Sequence, residues 1–65
     1  MDIKKYVSER ISQFEEKIVF IAECREKEMS KSFKDRNNEV LYLLHKDEVL
    51  FNFCLSEFKI IQQHI

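Results

Sequence analysis

Glycine and proline are both missing from the 65 residues. Without them the chain lacks the residues that most readily break helices and build tight turns, and the glycine-rich loops that cradle phosphates are excluded outright. Cysteine is scarce: Cys24 and Cys54 are the only two, they stand in apolar stretches rather than a spaced framework, and an internal disulfide is not expected. A surplus of either charge is lacking too. Lys and Arg total 11 against 12 Asp and Glu, a formal net charge of −1, so the basic excess that drives non-specific binding to a phosphate backbone is absent. Apolar runs such as Ile18 to Ala22 fall far short of the roughly 20 residues that span a bilayer, and Met1-Asp2-Ile3-Lys4-Lys5 has no apolar signal-peptide core. The expectation is a soluble, cytoplasmic protein that does not engage a membrane.

What is present is helical periodicity. Val7, Ile11, Phe14, Ile18 and Ile21 alternate spacings of four and three, and Phe51, Cys54, Phe58, Ile61 and Ile65 alternate three and four, the pattern of coiled-coil seams. Between them, Glu23 to Asn38 is mostly charged and polar. Its end, Asp35-Arg36-Asn37-Asn38, is the one cluster with turn chemistry, and either asparagine suits the cap of a helix entering Glu39-Val40-Leu41. The spacing predicts helix 1 over about 2–34, a turn over about 35–38 and helix 2 over about 38–64, all in one domain, 1–65. The fold class is all-α, an antiparallel, coiled-coil-like two-helix hairpin.

With the turn centred near Arg36, Val7 falls opposite Ile65, Ile11 opposite Ile61, Phe14 opposite Phe58, Ile18 opposite Cys54 and Ile21 opposite Phe51. The next layer sets Arg25 opposite Asp47, a pair of opposite charges that would fix the register of the helices. Two alternatives compete over residues 40–53. Val40 to Leu44 and Val49 to Phe53 suit two strands flanking His45 to Glu48, although the turn has no glycine or asparagine where a hairpin favours one. Asp47 also suits the cap of a new helix after a break near His45.

A domain this small has a thin core, rarely supplying more than about 3–5 kcal/mol unaided, so association is expected to supplement it. Apolar residues off the seam point the same way. Tyr6, Phe20, Leu43, Leu50, Phe53 and Ile60 are too many for one partner helix to cover, and they are the predicted protein interface of a homodimeric four-helix bundle with helix 2 central. Phe53→Glu is expected to disrupt that association and Lys46→Glu to spare it.

Catalytic, cofactor-binding and metal sites are not expected. His45 and His64 have no ligand partner at a suitable spacing. Glu15, Glu16, Glu23, Glu26 and Glu28 are interleaved with Lys17, Arg25, Lys27 and Lys31 at helical spacing, which describes a solvated, salt-bridged helix face better than an acid/base cluster. The functional expectation is therefore a small non-enzymatic protein-interaction module, a regulator, adaptor or small chaperone acting through helix–helix association. The alternative is a dimeric RNA- or DNA-binding hairpin that uses Lys27, Lys31, Lys34 and Arg36 near the turn, diluted by Glu26, Glu28 and Asp35.

Overall fold

The computed structural model describes residues 2–65. It contains two α-helices, α1 (Ile3–Met29) and α2 (Asn38–Gln63), packed against each other as an antiparallel hairpin of 49 × 16 × 14 Å. Among the described residues there is no strand, and α2 runs unbroken through His45 and Asp47. Both the strand pair and the broken helix are thereby set aside: one continuous helix satisfies every backbone group that a glycine-free turn at His45 to Glu48 would have strained.

Side chains punctuate this chain in place of glycine and proline. Asp2 caps α1 by accepting from Lys5 N–H at 3.3 Å, and Asn37 caps α2 by accepting from Glu39 and Val40 N–H at 3.0 and 3.2 Å. Helix α1 ends at Met29, five residues before the expected boundary near 34. Ser30 turns its hydroxyl back onto the Lys27 carbonyl at 2.7 Å, and Arg36 reaches across the loop to donate to the open carbonyls of Met29 at 2.8 Å and Lys31 at 3.1 Å. An arginine thus closes the helix end that a glycine commonly closes.

The loop is tied to both helices by Glu28. Its carboxylate, buried although charged, accepts the Asn37 backbone N–H at 2.6 Å and pairs with Lys31 Nζ at 2.8 Å. The Lys31 hydrogen bond, followed by the Asn37 N–H, holds the Glu28 carboxyl below its ordinary value of 4.5.

The seam of α1 is as expected: Val7, Ile11, Phe14 and Ile21 are buried and Ile18 is half-buried. Phe14 is its centre, edge-on to Phe58 at 5.3 Å and tilted against Phe51 at 6.1 Å. The seam of α2 differs from the expected one. Leu41, Leu44, Glu48, Phe51, Leu55 and Phe58 are the half-buried residues facing α1, and Gln62 continues the row with a hydrogen bond to Ser8 at 3.2 Å. Ile61 and Ile65 are exposed instead of covering Ile11 and Val7, and Cys54 sits at the edge while Leu55 takes the seam. The register pair also changes. Arg25 bonds Glu48, and Asp47 is exposed, because rotating α2 to bring Leu55 inward also brings residue 48, not 47, to the seam.

Candidate interaction surface

Heptad letters make the surface explicit. In α1, Val7, Phe14 and Ile21 are d positions and Ile11, Ile18 and Arg25 are a; in α2, Leu41, Glu48 and Leu55 are a and Leu44, Phe51 and Phe58 are d. In an antiparallel pair the g and c positions of both helices lie on one side of the plane through the axes, and the e and b positions on the other. Lys17, a g residue, holds its ammonium 5.1 Å over the ring of the seam residue Phe51 of α2.

The g and c side is apolar at its centre. It carries Tyr6, Phe20 and Cys24 from α1 and Leu43, Leu50, Cys54 and Ile61 from α2, with Phe20 65% and Leu50 53% exposed. The e and b side carries exposed Tyr42 and Val49 of α2 and Val19 and Met29 of α1, interspersed on α2 with the polar His45, Asn52, Ser56 and Lys59. Of the six interface residues expected from the sequence, Tyr6, Phe20, Leu43 and Leu50 therefore share one side. Phe53, 62% exposed, and Ile60 occupy f positions on the outer face of α2, pointing away from α1. All six stand outside the hairpin's own core.

The shape leaves an excess of surface. A compact monomer of 8.0 kDa exposes about 4,450 Å², whereas this chain exposes 5314 Å². Its radius of gyration is 15.1 Å, against about 10.7 Å for a globular chain of this length. The excess of about 860 Å² follows from the elongated shape of the hairpin, 49 × 16 × 14 Å.

Among the described residues no cluster of His, Cys, Asp and Glu has metal-binding geometry. Only two ion pairs form there, Arg25 with Glu48 and Lys31 with Glu28. Of the solvated, salt-bridged face expected along α1, the Glu28–Lys31 pair forms, while Glu15, Glu16, Glu23 and Glu26 stand in solvent without an ion pair among the described residues, where ordering two long side chains offsets most of what a pair would contribute. A hollow lined by Glu15, Glu16, Val19, Phe20 and Glu23 is open to solvent on the outer side of α1. Of the four basic residues near the turn, Lys31 is paired and Arg36 caps α1, while Lys27 and Lys34 make no ion pair among the described residues. Arg10, missed as a feature in the sequence, lays its guanidinium 5.0 Å over Phe14, donates to Gln13 at 2.7 Å and keeps a buried Nε without a hydrogen-bond partner.

Both thiols are free and half-buried at g positions. No helix of the described residues is long and apolar enough to cross a membrane. No protein-family model matches the chain, and neither does any curated protein or solved structure.

Proposed function

We propose that the chain is a small, non-enzymatic, cytoplasmic interaction module that homodimerises through the g and c side of its hairpin into a four-helix bundle. The outer strip of α2, with Phe53 and Ile60, then serves to hold another protein, as a regulator, adaptor or small chaperone does. One observation carries this reading: the apolar side around Phe20, Leu43 and Leu50 is exposed in a hairpin that has no fully buried large side chain. A bundle helix fills its core from a and d positions together with e or g, and here the a and d positions of α2 are half-buried at best. Burying that side would stabilise the fold by roughly 25 cal/mol per Å² of apolar surface before the costs of association.

The alternative, RNA or DNA binding, loses support because Arg36 and Lys31 are committed to the turn. The test compares Leu50→Glu with Lys46→Glu, an exposed charge on the same helix. Leu50→Glu is expected to leave monomers and Lys46→Glu to leave the dimer intact, as read by light scattering; equal behaviour of the two rejects the surface. Phe53→Glu, expected from the sequence to disrupt the dimer, lies at an f position on the outer face, so it is here expected to spare the dimer and abolish capture of the second protein.

A further inference from the structure

We infer that the occupant of the g and c side is a second copy of this chain arranged with both turns at the same end of the bundle, α1 of each copy lying on α2 of the other. The inference rests on the dimer reading above and specifies its geometry. Every charged residue of α1 at a g or c position is basic, Arg10, Lys17 and Lys27, while α2 carries Asp47 and Glu57 at its g and c positions. The two stripes lie side by side on one hairpin and have opposite sign.

A two-fold axis can be placed on this side in two ways. Run across the helices, it sets α1 against α1 and α2 against α2, basic stripe on basic and acidic on acidic, with the turns at opposite ends. Run parallel to the helices, it sets α1 against the partner's α2, basic on acidic, with the turns together. Only the second matches charge.

Height agrees with charge. A rotation about an axis parallel to the helices preserves height, so the levels within one hairpin carry over to the dimer without any freedom to slide. Phe14 is level with Phe58, Arg25 with Glu48 and Ser8 with Gln62. On that scale Lys17 is level with residue 55 and Lys27 with residue 45. The partner's Glu57 and the partner's Asp47 then each lie two residues away, about 3 Å along the axis at 1.5 Å per residue, within reach of a lysine. Phe20 comes equally close to the level of the partner's Leu50, so the apolar anchors meet in the same register as the charges.

Spin labels on Phe33→Cys at the turn tip, in a Cys24→Ser, Cys54→Ser background, test the arrangement by dipolar distance measurement. Turns at one end place the labels within about two helix spacings, ~20 Å. A separation close to the 49 Å long axis in a confirmed dimer overturns the same-end arrangement and leaves self-association standing. A chain that stays at 8.0 kDa overturns both. A charge swap in the native-cysteine background is the second measurement: Lys17→Glu and Glu57→Lys should each weaken the dimer about tenfold, and the double variant should recover most of that loss. No recovery overturns the pairing of Lys17 with the partner's Glu57.

Discussion

Helices α1 and α2 are almost equal in length, 27 and 26 residues, yet α1 buries Val7, Ile11, Phe14 and Ile21 against its neighbour and α2 buries nothing completely. The same contact serves both helices, so the asymmetry lies in what each brings to it. The strongest apolar row of α1 is its seam, and the long side chains Phe51, Leu55 and Phe58 cover it from the other side. Helix α2 carries apolar residues on the seam, on the g and c side and on the outer face, and α1 reaches only the first. Helix α1 leaves Tyr6, Val19 and Phe20 exposed outside its seam, and α2 leaves more: Leu43, Val49, Leu50, Phe53 and Ile60.

Truncating the covered seam should have the largest effect. Phe14→Ala removes the ring that meets Phe51 and Phe58 and is expected to cost about 3–5 kcal/mol, enough to abolish most helical circular dichroism in a domain of this size. Leu50→Glu, on the uncovered side, should dissociate the dimer at least about a hundredfold while leaving each hairpin helical, because a charge replaces an apolar group at the centre of the proposed contact. Together the two separate folding from association.

Smaller effects test the register. Glu48→Ala should cost about 0.2–1 kcal/mol of stability in chemical denaturation, since the Arg25 pair is partly exposed, whereas Asp47→Ala should leave the denaturation midpoint of the isolated hairpin unchanged. Equal losses from both would return Asp47 to the seam. Glu28 adds a pH signature of the turn. Its folded-state pKa is lowered, so its contribution is fully present above the ordinary value of 4.5 and is lost as pH falls through the lowered one. An acid titration of wild type should show that loss, and Glu28→Gln should lack it.

The all-α hairpin, the seam of α1 and the cap at Asn37 were legible because each depends on local spacing or on one residue type. The seam of α2 was not. Phe51 and Phe58 belong to two overlapping rows, one continuing through Cys54 and Ile61 and the other through Glu48, Leu55 and Gln62. The first looks better because it is apolar from Phe51 through Ile65. The second prevails because its polar members meet partners, Glu48 with Arg25 and Gln62 with Ser8, and a polar residue with a partner across the helix pair is no defect in a seam. The early end of α1 was hidden for a related reason: it depends on Arg36 and Asn37 folding back onto Met29 and Glu28, contacts that no window of local propensity contains. Of the exposed residues, Phe20, Leu43 and Leu50 stood out in the sequence by apolar excess alone, while the opposite signs of the two flanking stripes emerged only once the rotation of α2 was known.

Sedimentation equilibrium across a concentration series, with far-ultraviolet circular dichroism on the same samples, decides whether the side bearing Phe20, Leu43 and Leu50 is an association surface. The expected result is a helical species of twice 8.0 kDa that dissociates on dilution and is absent in Leu50→Glu. A helical wild-type chain that remains at 8.0 kDa at every concentration would contradict it.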